Sequence, residues 1–463
     1  MTDRSRWIRA AGATVVAAGI LLSTAAPATA AGAGDWYFDA LHIQAAHDAG
    51  FTGEGVTIAV LDGAVDPSTP GLADADITAK KNSYCYDEAG KVIPAVTTAG
   101  EASMHATNIA LYLAGNGAPI RGAATQRGVA PDAKLLMYAV VSPKTGDRLA
   151  ENEVQCLTKA GKESDTNVAD AITDAVDDGA DIITISLSVA QSEEAIAAIA
   201  YALHNDVAIF GSLRNDLFQF EAGDFPVAAN GVVGVQAVDS NAHVATTDLD
   251  GATYENNSMD TDISAPGVSF TGLRVGDTGL LDKVTLISGT SFATPMTAGF
   301  LSLVKQKYPE ATTNQLLQSL IRNSNGETHE PYWDKVAGYG VVSATAMLAA
   351  DPVGYADTNP FIIDDGVYRP APWQINGEPN PDAAVDNSWM EKGEKEDAAR
   401  QEKLQADIVK LALIVGVPFA AATIAGVVIL ILVVTRRKKR KPATKAAPSP
   451  WDSFPPQPPQ DGH

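Results

Sequence analysis

The chain has 463 residues, of which 33 are basic and 56 acidic, so its formal net charge is -23. This acidic balance argues against nucleic acid as a partner, and the length suits one large or two ordinary domains. A hydrophobic content of 46% is ordinary for a globular protein and leaves the chemistry open.

The first thirty residues have the pattern of an export signal. Three arginines within the first nine residues precede an apolar run, and Ala28-Thr29-Ala30 supplies small residues at the spacing of a cleavage site. We therefore predict that residues 1–30 are a signal peptide removed after Ala30.

The next segment predicts an extended lead at Asp35-Trp36-Tyr37-Phe38 and then a short helix ending near Gly50. Residues 55–61 form a continuous β-branched run, which predicts a buried strand with Asp62 at its carboxyl end. Catalytic groups collect at that edge of a parallel sheet. The alternative for Asp62-Gly63 is a simple turn dipeptide.

Strands and helices then alternate along the chain. The sequence predicts strands at residues 134–141, 182–187, 207–211 and 232–238, and helices at residues 105–115, 167–178, 193–205 and 314–323. This alternation predicts an α/β fold whose mainly parallel central sheet is covered on both faces.

Only two cysteines occur, Cys85 and Cys156. The export signal places both in an oxidising compartment, so they form a candidate disulfide. Such a bond would close a loop of about 70 residues, for which the chain-entropy model gives roughly 4 kcal/mol.

A serine stands between a Gly-Thr turn and a long apolar pattern that predicts a helix from Ser291 to about Tyr308. A hydroxyl at a helix N-terminus lies beside unpaired N–H groups and the positive end of the helix dipole, which stabilise a developing oxyanion. The alternative is a serine that only caps the helix.

The composition changes beyond residue 350. Residues 351–407 are rich in proline and aspartate and then in charge, which predicts a stalk. Residues 408–435 are almost uninterruptedly apolar and predict a single transmembrane helix. The basic, proline-rich residues 436–463 then form a cytoplasmic tail by the positive-inside rule. A buried core helix is the alternative for the apolar segment.

A serine hydroxyl needs a base, and the base needs a carboxylate to hold it. Among the seven histidines, only His105 starts a predicted helix directly after a long loop. With Asp62 and Ser291 it gives the chain order Asp, His, Ser, which is the subtilisin order. No Cys/His spacing typical of a metal site occurs in the ectodomain, so we expect neither a metal nor a cofactor.

The chain resembles the subtilases, the subtilisin-like serine proteases. The motifs that carry the resemblance are Val60-Leu61-Asp62-Gly63-Ala64-Val65-Asp66, His105-Ala106-Thr107 and Gly289-Thr290-Ser291-Phe292-Ala293-Thr294-Pro295. The resemblance implies a subtilisin-like three-layer fold over residues 31–350. It also implies that His105 is the general base, that Asp62 orients it, that Ser291 is the nucleophile and that Asn215 is the side-chain oxyanion donor.

The same resemblance implies that residues Ser186, Leu187 and Ser188 bind the substrate backbone as an added strand. Arg214 is a further candidate for substrate binding, with an ordinary surface role as the alternative. The chain departs from the family pattern at Ala106, Ser188 and Arg214, where the family keeps small residues, and these departures argue against broad proteolysis.

The order of signal, protease domain, stalk, transmembrane helix and short tail resembles that of the mycosins, subtilases associated with type VII secretion in actinobacteria. It implies an extracytoplasmic, membrane-anchored endopeptidase with a polypeptide substrate and a secretion machine as partner. One alternative is a weak or inactive subtilase fold with a structural role in a secretion complex. A soluble degradative protease is another, which the anchor disfavours.

Overall fold

In a computed structural model of the chain, residues 34–380 are described, except residues 81, 142–155, 163, 165, 190, 216–224 and 250–251, and so is Lys403. The helices are α1 Trp36–Ala40, α2 Ile43–Asp48, α3 Gly100–Ala114, α4 Asn167–Asp177, α5 Glu193–His204, α6 Thr290–Lys307, α7 Thr313–Arg322, α8 Ala344–Ala349 and α9 Pro372–Ile375. The strands are β1 Thr57–Asp62, β2 Ile77–Ala79, β3 Asn82–Tyr86, β4 Val92–Pro94, β5 Lys134–Ala139, β6 Ile182–Ile185, β7 Ala208–Ser212, β8 Val233–Val238, β9 Thr246–Leu249, β10 Ala252–Glu255, β11 Ile263–Pro266, β12 Phe270–Val275 and β13 Leu281–Ile287.

Seven of these strands form one sheet in the order β11-β8-β7-β6-β1-β5-β2, and every pairing within it is parallel. Strand β1 shows why both faces are buried. Its residues Ile58 and Val60 belong to a core shared with α3 and α6, whereas Ala59 and Leu61 belong to a core shared with α4 and α5. Alternate side chains of a strand point to opposite faces, so helices cover the sheet on both sides. The predicted three-layer α/β fold with a mainly parallel sheet is confirmed.

The N-terminal lead is helical where an extended segment was expected, since α1 covers Trp36–Ala40. Tyr37 is fully buried, and its ring centroid lies 5.1 Å from that of Phe270 and 6.1 Å from that of Tyr112. Aromatic residues favour strands on propensity alone, but packing against distant side chains overrides this preference.

Helix α3 begins at Gly100, five residues earlier than expected, so His105 lies inside the helix and not at its start. The N–H of Gly100 donates a hydrogen bond of 2.9 Å to the carbonyl of Gly279, at the tip of the β12–β13 hairpin. A helix start leaves such N–H groups without intrahelical partners, and here a residue far away in sequence satisfies one of them.

Residues 351–380 pack against the sheet-and-helix core, although a stalk was expected from residue 351. Phe361 and Ile375 are buried, and Asn230 bonds the backbone of Ile363 and Pro370. The predicted signal peptide, the transmembrane helix of residues 408–435 and the tail lie outside the described residues. Within the described part of the chain, no helix is long and apolar enough to cross a bilayer.

The structure joins Cys85 to Cys156 in a disulfide, with a Cα–Cα distance of 4.8 Å across 71 residues of sequence. Cys85 belongs to β3, one strand of a two-stranded antiparallel pair outside the main sheet. Tyr84 beside it donates a hydrogen bond to Asp174 of α4. The disulfide segment is therefore tied to α4, and the Tyr84 ring also lies beside Tyr138 of β5.

Candidate active site

The candidate site is built at the carboxyl edge of the parallel sheet, where three neighbouring strands end. Asp62 is the last residue of β1, and the register Leu61↔Ile185 brings Ser186, just beyond β6, level with it. Strand β7 pairs with β6 and leads through Leu213 and Arg214 to Asn215. Residues far apart in sequence thus meet at the edge where α/β folds place their chemistry.

Asp62 and His105 form a hydrogen-bonded pair. The imidazole Nδ1 lies 2.8 Å from Oδ2 and 3.0 Å from Oδ1 of Asp62, and the N–H of Gly63 donates to Oδ1 at 2.7 Å. The Asp62 side chain is 1% exposed and that of His105 is 25% exposed. A carboxylate accepts only, so Nδ1 carries the proton and Nε2 is left as the acceptor that a general base requires.

Burial and Asp62 act in opposite directions on His105. Burial lowers the pKa of the imidazole, but the charge of Asp62 and its hydrogen bond raise it, and the net pKa lies above the ordinary 6.5. The pair thus stabilises the imidazolium that would form when His105 takes a proton.

Ser291 stands in the first turn of α6 and is partly exposed. The next residue, Phe292, contacts the imidazole of His105 with ring centroids 5.6 Å apart, so the helix start and His105 are adjacent. Within the described residues, the Ser291 hydroxyl has no hydrogen-bond partner. A Cβ at Gly289 would lie 3.1 Å from Ser291 Oγ, so glycine there leaves space around the hydroxyl.

Asn215 is held next to Ser291 through its carboxamide oxygen. The N–H of Thr290 donates to Asn215 Oδ1 at 2.9 Å, and the backbone carbonyl of Asn215 accepts a hydrogen bond of 2.8 Å from Asn256 Nδ2. Because an N–H must donate to oxygen, the orientation of the carboxamide is defined and its NH2 group is the remaining donor. This is the arrangement expected of a side-chain oxyanion donor.

The residues predicted to bind substrate lie beside this group. Ser186 is 4% exposed, and its hydroxyl has no partner in the described structure, whereas Leu187 is partly buried and Ser188 is exposed. Arg214 is partly buried directly before Asn215. Strand β6 ends at Ile185, so residues 186–188 follow the strand and are not part of the sheet.

Ala106 is 1% exposed and belongs to the core shared with α3 and α6. The departure at this position therefore adds volume to the core beneath the imidazole and not to the open surface. The next residue, Thr107, accepts a hydrogen bond of 2.9 Å from the N–H of Asp66 and so ties α3 to the loop after β1.

Three further residues support the site. Thr290 orients the Asn215 side chain, Asn256 holds its backbone, and Phe292 contacts His105. Thr290 and Phe292 lie inside the serine motif, so the motif contained a signal for them, whereas nothing in the sequence marks Asn256. Among the described residues, no group of three or more His, Cys, Asp or Glu side chains could hold a metal ion.

Comparisons with known proteins find proteases among the sequences and structures similar to this chain. The chain is 30% identical over 289 residues to a thermostable alkaline protease of Halalkalibacterium halodurans, covering 62% of this chain and 66% of that protein. It is 29% identical over 390 residues to Mycosin-1 of Mycobacterium tuberculosis, covering 75% of this chain and 82% of that protein. A solved protease structure from Pseudoalteromonas arctica aligns with a TM-score of 0.50 at 24% identity, covering 67% of this chain and 93% of that one, and supports the fold.

The model of the subtilase family, peptidase S8, matches residues 53–340, a range that contains Asp62, His105, Asn215 and Ser291. The chain therefore belongs to the subtilase family of subtilisin-like serine proteases.

Proposed function

We propose that this chain is a membrane-anchored, extracytoplasmic serine endopeptidase of the mycosin type. The observation that carries the catalytic part is the pairing of His105 Nδ1 with the buried Asp62 beside the helix that bears Ser291. The orientation of Asn215, whose NH2 group is left as a donor next to Ser291, supports it.

In the proposed reaction, His105 Nε2 takes the proton of Ser291 as Oγ attacks the carbonyl carbon of the substrate. The tetrahedral oxyanion accepts hydrogen bonds from the Asn215 NH2 group and the Ser291 N–H. The C–N bond then breaks, His105 gives the proton to the leaving amine, and an acyl-enzyme remains on Oγ. Water repeats the sequence and releases the acid. Since His105 must be neutral to begin, activity rises with pH through a pKa above 6.5.

The mycosin assignment rests on the share of the chain that the match to Mycosin-1 covers. The match to Mycosin-1 covers 75% of this chain, against 62% for the alkaline protease, so the likeness extends over more of the chain. The apolar residues 408–435 and the basic residues that follow supply the proposed anchor and its cytoplasmic tail. On this proposal residues 1–30 are removed, residues 31 to about 380 form the peptidase domain, and a type VII secretion system is the neighbouring machine.

A second candidate is a catalytically weak subtilase that serves as a structural partner in a secretion complex. The lack of a hydrogen-bond partner for the Ser291 hydroxyl among the described residues and the departures at Ser188 and Arg214 favour it. A hydrogen bond between nucleophile and base is often formed only when substrate binds, which is why we prefer the active enzyme.

A fluorophosphonate probe applied to the full-length chain in membranes separates the two candidates. We expect the wild type to be labelled and Ser291→Ala to remain unlabelled. Ser288→Ala is the matched control, because Ser288 is an exposed serine directly before the same motif and should leave labelling unchanged. A folded wild type that resists the probe would favour the structural role. Alkaline carbonate extraction tests the anchor, since release of the full-length chain from membranes would contradict it.

A further inference from the structure

The Asp62 hydrogen bond alone does not fix the direction in which His105 Nε2 points. It restrains one nitrogen, and the ring can still tilt about the line from Nδ1 to the carboxylate. The second described contact of the imidazole is with Phe292, at a centroid distance of 5.6 Å and an interplanar angle of 40°. A ring packed against the imidazole supplies the restraint that the single pair lacks.

Phe292 bridges two residues on the same face of α3. It contacts His105 and also Tyr112, whose ring centroid is 5.4 Å away at an angle of 54°. Residues seven apart lie two turns apart on one side of a helix, so Phe292 packs across the stripe formed by His105 and Tyr112. Because Phe292 directly follows Ser291, this packing couples the position of the nucleophile on α6 to that of the base on α3.

Tyr112 is itself firmly held. It is fully buried, and its hydroxyl donates a hydrogen bond of 2.7 Å to the carbonyl of Thr271. Its ring also contacts Phe270 at 5.3 Å and Tyr37 at 6.1 Å. The hydroxyl of Tyr37 donates to the carbonyl of Arg127 at 2.5 Å, so the outermost ring is fixed as well.

We propose that Phe292 and Tyr112 are positioning residues that hold His105 in register with Ser291, with Tyr37 as the outer support of the same aromatic stack. Phe292 acts through its contact with the imidazole, and Tyr112 acts through its contact with Phe292. The inference rests on the proposed protease function, because it concerns the base of that reaction. It also makes the first helix of the folded domain part of the support for catalysis.

The test compares Phe292→Leu with Phe300→Leu in the full-length chain. Phe300 is a matched control because it is a fully buried phenylalanine two turns further along α6, and no ring contact joins it to His105. We expect Phe292→Leu to lower the rate of fluorophosphonate labelling per folded molecule about tenfold, since small misplacements of reacting groups have effects of this size or larger. Phe300→Leu should lose stability without this loss of rate.

A second readout does not depend on activity. Loosening the pair with Asp62 lowers the pKa of His105, whereas relief of burial raises it, so disturbed packing should move this pKa away from its wild-type value. The pKa is measured by NMR on histidine labelled at Cε1 and assigned with His105→Asn. It should shift in Phe292→Leu and Tyr112→Leu, stay near the wild-type value in Tyr112→Phe, which keeps the ring, and be unchanged in Phe300→Leu. Equal effects of Phe292→Leu and Phe300→Leu on labelling and on the pKa would overturn the proposal. If the wild type is not labelled but the pKa shifts follow this pattern, the positioning role holds and the proposed function fails.

Discussion

Two aspartates lie at opposite edges of the same parallel sheet, Asp62 at the end of β1 and Asp262 directly before β11. Asp62 is almost completely buried, and its carboxylate has both the Gly63 N–H and the imidazole of His105 as partners. Asp262 is partly buried, and its carboxylate accepts one hydrogen bond of 2.8 Å, from the N–H of Gly234.

The consequence for Asp262 is a raised pKa of about 8, because burial disfavours its charged form more than the Gly234 hydrogen bond favours it, and Asp260 adds like charge. In the proposed mechanism, the carboxylate of Asp62 at the carboxyl edge stabilises the imidazolium of His105. The one at the amino edge retains its proton to neutral pH. Both carboxylates are at least partly buried, and they differ in their partners: Asp62 has the imidazole of His105, whereas Asp262 has the N–H of Gly234.

The largest effect should follow from removing the charge at the carboxyl edge. Asp62→Asn keeps the shape but can favour the wrong tautomer of His105, so we expect kcat to fall about 10⁴-fold, as in other triads. The matched control is Asp66→Asn, since Asp66 is a buried carboxylate of the adjoining loop that bonds Ser68 and not His105. Equal losses of kcat in both variants would remove the distinction between a partnered and an ordinary buried aspartate.

A smaller effect is expected from the oxyanion donor at the same edge. Asn215→Leu removes the NH2 group beside Ser291, and we expect kcat to fall about 10²- to 10³-fold with little change in KM, because the donor acts mainly on the transition state. Asn205→Leu, at an exposed asparagine after α5, is the control and should leave kcat unchanged. A raised KM with an unchanged kcat would instead assign Asn215 to substrate binding.

At the amino edge, the effect should be on stability and depend on pH. The folded protein binds the proton of Asp262 more tightly than the unfolded chain, so this contribution is present below pH 4 and is lost as pH rises towards about 8. We expect urea unfolding to show that Asp262→Asn becomes more stable than the wild type above pH 8, by about 1–3 kcal/mol. Exposed Asp277→Asn is the control, and a pH-independent difference for Asp262→Asn would contradict the assignment.

The smallest effect is expected for carboxylates that keep contact with water. Lys80 pairs with Asp174 and lies 3.5 Å from Asp178, and these side chains are 39–46% exposed. We expect Lys80→Met to change the free energy of unfolding by less than about 1 kcal/mol, as for other exposed ion pairs. A loss of several kcal/mol would show that pairing matters at the surface as much as it does in the buried site.

Much of the carboxyl edge could be predicted because the responsible signals are local. The continuous β-branched run before Asp62 predicts a strand buried on both faces, and the serine motif marks both Ser291 and the start of α6. The order of three motifs and the family resemblance predict the candidate catalytic residues. Formation of the predicted sheet edge then places Asp62 where His105 can pair with it.

The features that sequence reasoning missed depend on contacts between distant segments. Helix α1 forms because Tyr37 packs against Phe270 and Tyr112, although its aromatic residues favour a strand. The start of α3 at Gly100 depends on the carbonyl of Gly279, and the protonation of Asp262 depends on which groups surround it. None of these contacts can be recognised from the hydrophobic periodicity or the composition of the sequence.

The most direct test of the central claim is to locate the covalent intermediate. The full-length chain would be mixed with a chromogenic peptide ester, quenched in acid within the first turnover, digested and mapped by mass spectrometry. We predict that the acyl group is found on the peptide containing Ser291, specifically on its side-chain oxygen, and that it is absent from His105→Ala. An acyl group on another residue, or turnover of the ester by Ser291→Ala at the wild-type rate, would contradict the assignment of this edge of the sheet as the catalytic centre.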